Sequence, residues 1–386
     1  MAEFVDGIID TVRFVVGPGN HTLHEPCFDG NELKYLRRCL DTTMVSYVGP
    51  YVEEFESKLA SFVGAEYCFS TNTGTAALHL ALLALKVKPE DEIILPSFTF
   101  VATANAVRYC GASPHFVDID QCSLGVDPYK LDAYLSDLVR VENGVAVNSE
   151  TKKPIRAMIV MHTYGQPADM QKIVEVASKY GLPVIEDAAE ALGSFYLGQH
   201  LGTLGQIGIF SFNGNKTITT GGGGAVVTND EALFNTVKHI GSTAKVSHPF
   251  ELSHDAVGFN YRMPNVNAAI GLGQLETLPL KLSKKRELTE LYIDAFAKIK
   301  GARIFEERAY AKSNYWLQAM ILDNENLWAR DEILTQCQQQ GLFVRPAWTP
   351  IHQLRPFKQF PRMDLDVSKL FARSLINLPS SPSLVN

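Results

Sequence analysis

The sequence predicts an α/β protein built on a mostly parallel sheet, followed by a smaller α+β unit. Two observations carry this expectation. Short apolar runs alternate with helical patterns through most of the chain, and that alternation ends near Leu275, where Lys, Glu and Leu take over. At 386 residues the chain is long enough for one large and one small unit, with expected bounds of 1–274 and 275–386.

The elements follow in order. Residues 1–16 carry Phe4, Ile8, Ile9, Val12 and Val15 at helical spacing, interrupted by Glu3, Asp6 and Asp10. Without a basic start or a long apolar run, this reads as an amphipathic helix rather than a signal peptide. Thr75 to Leu85 is strongly helical, and Glu92 to Leu95 is a strand ended by Pro96. Val101 to Tyr109 is helical, and His115 to Asp118 and Ala157 to Met161 are strands. Asp169 to Tyr180 places Met170, Ile173, Val174, Ala177 and Tyr180 on one helical face, closed by Gly181-Leu182-Pro183. Pro183 to Glu186 is the next strand, and the polar run Glu142 to Pro154 reads as a surface insertion. A helix over Leu278 to Ile299, a segment Tyr315 to Leu322, a helix Arg330 to Gln340 and a strand Leu342 to Pro346 make up the smaller unit.

Composition narrows the function classes. A formal net charge of −7 gives no global basic field and argues against a nucleic-acid partner. Six scattered cysteines without a Cys-x-x-Cys pair argue against a disulfide framework or a structural zinc site, and fit a reducing cytoplasm. No run reaches the roughly 20 apolar residues of a membrane helix.

Lys216 is the most informative residue. It follows Ser211-Phe212-Asn213-Gly214-Asn215 and precedes four consecutive glycines, Gly221 to Gly224. An amine among small and polar residues, beside almost bare backbone, suits a Schiff base with a planar cofactor. Thr71-Asn72-Thr73-Gly74-Thr75 lies before a helix start, where free N–H groups and the dipole favour a phosphate; a plain N-cap is the structural alternative. Asp187 stands at a strand end, where a carboxylate could pair with a protonated ring nitrogen or cap the next helix. Phe98 or Phe100 could stack on a ring or fill the core. There is no Gly-x-Gly-x-x-Gly or Walker-type motif. Phosphate turn, aromatic, strand-end Asp and Lys beside glycines, in that order, are the parts that pyridoxal phosphate needs.

On these motifs the chain resembles the DegT/DnrJ/EryC1/StrS nucleotide-sugar aminotransferases, of fold-type I aspartate aminotransferase architecture. The resemblance runs from about Glu25 to about Pro382. It rests on Asn72–Leu78, Pro96–Thr103, Tyr164–Met170, Glu186–Glu190, Ser211–Lys216 and Gly258–Met263. It implies that Lys216 binds the cofactor aldehyde and then moves protons, and that Asp187 binds the pyridine nitrogen. It further implies that Phe100 stacks on the ring and that Thr73, Gly74, Thr75 and Ser211 hold the phosphate. Glu190 stands where the family often has Gln or His near the cofactor hydroxyl. Asn260 would reach the phosphate of a neighbouring subunit, so a homodimer with shared sites is expected. The family usually has Gly-Glu-Gly-Gly after the lysine, whereas residue 222 here is Gly.

Within the family, the pattern Asn215 to Thr220 before four glycines and the polar insertion after Val139 resemble the branch that makes UDP-4-amino-4,6-dideoxy-N-acetylhexosamines towards bacillosamine and legionaminic acid. The implied reaction moves the amine of glutamate to C4 of a UDP-4-keto-6-deoxy-N-acetylglucosamine. Alternatives are another 4-keto or 3-keto sugar linked to GDP or dTDP, or a non-enzymatic sensor on the same fold. Relatives that remove a C3 hydroxyl carry His in place of the lysine, which Lys216 argues against. The missing glycine fingerprint disfavours a dinucleotide-dependent oxidoreductase. Lys245, His248, Arg262, Arg345 and His352 are candidate partners for the anionic substrate, although each alone also reads as a solvated or structural base. His79 and His162 read as structural histidines near the core.

Overall fold

A computed structural model describes residues 2–385. The strands β1 (Tyr67–Thr71), β2 (Glu92–Pro96), β3 (Ser113–Val117), β4 (Ile155–Met161), β5 (Val184–Asp187), β6 (Ile207–Ser211) and β7 (Gly224–Thr228) form one sheet in the order β1-β7-β6-β5-β4-β2-β3. Only β7 runs against its neighbours; the pairs from β6 through β5, β4 and β2 to β3 are parallel. Every residue of β2, β3, β5 and β7 is buried, as expected when helices cover both faces. The apolar helix Gly74–Ala84 is buried nearly all round, between β6, β7 and the helices Val101–Tyr109 and Glu231–Gly241.

The polar run after Val139 is more ordered than a surface insertion. Val139–Glu142 and Val145–Asn148 pair as a hairpin, turned at Asn143 and Gly144, both with positive φ. Asn148 and Thr151 then donate to the buried Glu92 carboxylate of β2, at 2.8 and 2.6 Å, and so tie the hairpin to the sheet.

The helix expected from Leu278 begins at Asn265 and runs to Phe296. Small and apolar residues such as Ala268, Ala269 and Leu272 bury its first part against the helices Glu32–Asp41 and Pro50–Val63. A division at 274/275 therefore cuts a continuous helix. The second half of this helix packs on a four-stranded antiparallel sheet of β8 (Ala302–Ile304), β9 (Gln318–Leu322), β10 (Arg345–Pro346) and β11 (Leu375–Leu378), in the order β8-β9-β11-β10. The helix Ala2–Val16 adds Val5, Ile8, Ile9 and Val12 to the same core, beside Leu288, Tyr292, Ile333 and Cys337. The N-terminal segment thus packs with the C-terminal sheet, not with the large one. The strand expected over Leu342 to Pro346 is only Arg345–Pro346, because Leu342 bridges to His21 instead.

Candidate active site

The carboxyl ends of β5 and β6, the start of the helix Gly74–Ala84 and the edge of the small sheet enclose a cavity of about 660 Å³. Open parallel sheets bind ligands beyond their strand ends. Thr73, Gly74, Thr75, Phe100, Asp187, Glu190, Ser211, Lys216 and Arg345 all line it. Residues far apart in sequence converge there because β1, β5 and β6 end on the same side of the sheet.

Thr73 is the N-cap of its helix, and its hydroxyl accepts the Ala76 N–H at 3.0 Å. The hydroxyl hydrogen remains free to donate into the cavity, and the Gly74 and Thr75 amides have no intrahelical acceptor. Backbone closeness explains the glycines. A Cβ at Gly224 would sit 2.6 Å from the Gly74 nitrogen, so β7 can approach the helix start only without a side chain. At Gly222 the situation is opposite. A Cβ there would meet only the Asn72 carbonyl, at 3.9 Å, so the departure from the family's Glu leaves room in the cavity.

Asp187 is buried at the end of β5. Its Oδ2 accepts the Thr103 hydroxyl at 2.7 Å and its Oδ1 the Ala189 N–H at 3.3 Å. Burial pushes its pKa up, and the Thr103 hydrogen bond only partly opposes that. Glu190 is also buried and raised by burial, with Lys216 opposing. Its Oε1 accepts from Lys216 Nζ at 3.1 Å and its Oε2 from the Tyr164 N–H at 2.8 Å. Of the two carboxylates in the cavity, Glu190 is paired with Lys216, whereas Asp187 has no cationic partner among the described residues. A protonated ring nitrogen would supply one to Asp187, and an anionic phosphate would meet the helix amides at the other end. The residues present therefore fit pyridoxal phosphate.

Lys216 also lies over the indole of Trp316, 3.8 Å from its centroid, and the Trp316 Nε1–H donates to the Asn215 carbonyl at 2.7 Å. Of the two aromatic candidates, Phe98 is fully buried in the core near Tyr164, whereas Phe100 is half exposed at the cavity mouth. Glu186, next to Asp187, is structural. Burial would raise its pKa, but His162 and the Gly202 and Gly205 amides outweigh this and hold it below the ordinary value.

Other expected residues are not brought together. His352 is buried on the far side of the segment after β2, with Nδ1 2.7 Å from Ser97 Oγ. Arg262 pairs with Glu56 at 3.4 Å and lies over Phe69, outside the cavity. Lys245 and His248 sit on an exposed hairpin segment, and Asn260 is exposed and bridged by its backbone to Ser242. Trp316, Trp348, Tyr164, Thr103 and Asn377 also line the cavity, beyond the site residues that the sequence points to. Thr103 and Tyr164 lie within recognised motifs; Asn377 has no local signal.

A family model described as the DegT/DnrJ/EryC1/StrS aminotransferase family matches residues 26–386. The chain belongs to this family. It is 37% identical over 364 residues to the GDP-perosamine synthase of Escherichia coli O157:H7, covering 94% of each chain. It is 33% identical over 312 residues to the UDP-4-amino-4,6-dideoxy-N-acetyl-beta-L-altrosamine transaminase of Campylobacter jejuni, covering 81% of this chain and 79% of the other. Among solved structures, Helicobacter pylori PseC, an aminotransferase involved in the biosynthesis of pseudoaminic acid, superposes with a TM-score of 0.84 at 26% identity over 94% of each chain. The chain is thus a fold-type I, pyridoxal phosphate-dependent aminotransferase of nucleotide-sugar biosynthesis.

Proposed function

We propose that this enzyme transfers the amino group of L-glutamate to C4 of a nucleotide-linked 4-keto-6-deoxyhexose, with the UDP-N-acetylglucosamine derivative as the expected acceptor. The observation that carries the reading is the convergence of Lys216, Asp187 and the free helix amides of Gly74 and Thr75 on one cavity. When bound, pyridoxal phosphate supplies an electrophilic carbon for amines and a ring that accepts the electron pair left by C–H cleavage. Lys216 moves the proton at the substrate carbon as general base and then general acid. Glu190 and Trp316 hold its Nζ beside the cavity centre. Asp187, oriented by Thr103, holds the proton on the ring nitrogen. Phe100 covers the ring at the mouth, and Thr73, Thr75 and Ser211 bind the phosphate.

Asn260, Lys245 and His248 lie outside their own cavity, and we assign them to the cavity of a second copy. Phe250, Leu252 and Val257 on the same segment, with Leu33, Leu40 and Val48 elsewhere, are exposed apolar side chains that a homodimer would cover. Among the described residues no helix is long and apolar enough to cross a membrane, and no cluster of His, Cys, Asp or Glu could hold a metal ion. A cytoplasmic biosynthetic role follows from this reading.

A second reading changes the acceptor, both its nucleotide and its sugar. The 37% identity to a GDP-perosamine synthase favours a GDP-linked acceptor. Purified protein with L-glutamate should release 2-oxoglutarate when given the correct 4-keto nucleotide sugar. Release with the UDP sugar supports the first reading, and release only with the GDP sugar supports the second. No release with either, or unchanged release by Lys216→Ala, would sink both.

A further inference from the structure

We propose that a second cleft, separate from the cofactor cavity, binds a diphosphate group, either that of a nucleotide or inorganic pyrophosphate. The cleft lies between the helix Asp366–Ser374 and the segment that leaves β10, and its volume is about 420 Å³. Clefts of this size hold small ligands. Lys369 and Arg373 line it from that helix, and Arg330 lines it from the start of the helix Arg330–Gln339. Thr349 and Gln353 add hydrogen-bonding groups. Among the described residues, no aspartate or glutamate lines it.

Charge decides what this cleft can hold. In the cofactor cavity two cations, Lys216 and Arg345, are matched by two carboxylates, Asp187 and Glu190. The cleft has three cations and no carboxylate, on a chain whose formal net charge is −7. A concave surface of one sign focuses its field on ions of the opposite sign. The present counter-ions are weak competitors. Arg330 pairs with Asp331 at 2.7 Å and Lys369 with Asp366 at 3.1 Å, but those carboxylates are 80% and 83% exposed and stand outside the cleft. Such exposed pairs stabilise little. Arg373 is exposed, and no salt bridge among the described residues engages it. Arg330 is held in place, because its Nη1 donates to the Ala372 carbonyl at 3.1 Å, on the helix that carries the other two cations. A carboxylate would answer one of the three cations. A diphosphate offers several charged oxygens at once, which suit two guanidinium forks and one ammonium. Pro346, Ala347, Pro350 and Ala372 leave an apolar wall beside them with room for a nucleoside.

The cleft and the cofactor cavity share a wall one chain thick. Arg345, Pro346 and Trp348 line the cavity, and Pro346, Ala347 and Thr349 line the cleft. The wall is fastened on both sides. The Ala347 N–H donates to the Leu375 carbonyl at the start of β11, at 3.1 Å, and the Ile351 N–H donates to the Ser97 carbonyl just after β2, at 2.8 Å. A ligand in the cleft therefore stands behind Trp348 and reaches neither Lys216 nor Gly74.

Calorimetric titration of the holoenzyme with inorganic pyrophosphate tests the site, with the cofactor phosphate already filling the turn at Gly74. Pyrophosphate should bind about tenfold or more tightly than inorganic phosphate, because a single phosphate reaches fewer of the three cations. Arg373→Gln and Lys369→Gln should each weaken pyrophosphate binding roughly threefold to tenfold, as exposed charge-assisted contacts do. Neither residue lines the cofactor cavity, so melting temperature and cofactor absorbance should stay at the wild-type values. Arg345→Gln, on the other side of the wall, should change the affinity less than about twofold. UDP and GDP distinguish the sources. Tighter binding than pyrophosphate, weakened by Arg373→Gln and Lys369→Gln, assigns the cleft to a nucleotide; equal affinity for all three assigns it to the diphosphate alone. Unchanged affinity in the Lys369→Gln, Arg373→Gln double variant would overturn the site. So would loss of binding in Arg345→Gln, or equal affinity for phosphate and pyrophosphate.

Discussion

Lys216 Nζ lies 3.1 Å from Glu190 Oε1, in a cavity where Glu190 is almost wholly buried. The pair joins two segments that the chain separates by 26 residues. Glu190 also accepts the Tyr164 N–H, so a neutral replacement leaves one of these donors poorly matched. Glu190→Gln should therefore slow the chemical step about 10–100-fold, equivalent to about 1.5–3 kcal/mol for a hydrogen bond to a charged group. Single-turnover loss of cofactor absorbance with glutamate measures this step, and an unchanged rate would remove Glu190 from the positioning of the lysine.

Asp187 should weaken the apoprotein that it serves. Its folded pKa is raised above 3.8 chiefly by burial, so the folded state binds the proton more tightly than the unfolded chain. Its contribution is present at low pH and is lost as pH rises through the folded value. Asp187→Asn removes that loss. The apoprotein variant should melt at or above the wild-type temperature at pH 7, while cofactor binding weakens and turnover falls on the order of 10²-fold or more. Melting curves at pH 5 and 8, with and without cofactor, check both halves.

Lys285 is fully buried on the long helix, without an acidic partner, and donates to the Trp316 and Ser380 carbonyls at 3.0 and 2.7 Å. Burial depresses its pKa from 10.5 to about 7. Below pH 7 the penalty for its charge is complete; as pH rises towards 10.5 the unfolded chain holds the extra proton and stability increases. Lys285→Met deletes this slope, worth at most about 1.4 kcal/mol per pH unit. Loss of two carbonyl partners offsets any gain at pH 7, so the informative quantity is the difference in slope of denaturant stability between pH 7 and 10. Parallel slopes would show that Lys285 stays charged in the fold.

The four glycines should not be equivalent. Gly224→Ala drives a Cβ against the Gly74 nitrogen and displaces the helix start proposed to hold the phosphate. Cofactor affinity should fall at least about tenfold, with a loss of about 1–3 kcal/mol of stability. Gly222→Ala meets nothing closer than 3.9 Å and should stay within about 0.5 kcal/mol of wild type. Equal effects at both positions would mean that backbone approach does not govern this loop.

How much of the site was legible depended on where each residue's role comes from. Asp187 ends a strand, the Thr73 to Thr75 turn starts a helix and Lys216 stands in the loop between β6 and β7, so local pattern and position carry the meaning. Arg262 and His352 looked equally suitable as bases. Arg262 is taken up by Glu56 and His352 by Ser97, partners 206 and 255 residues away. The sequence marks the helix from Asn265 only by its Lys- and Glu-rich second half, because its first half is largely buried and lacks amphipathic contrast.

The order of motifs along the chain was enough to determine the α/β architecture and the cofactor, and it singles out Lys216 as the lysine proposed to react. Each motif is a short stretch whose backbone role is local. Tertiary structure alone decided that Arg345 and Asn377 of the small sheet, with Trp316 just before it, line one cavity with Lys216 and Glu190, which follow strands of the large sheet. It also decided that Ala2–Val16 belongs to the C-terminal core. Such contacts come from the packing of one sheet's edge over another's strand ends, and no spacing within the chain encodes that approach.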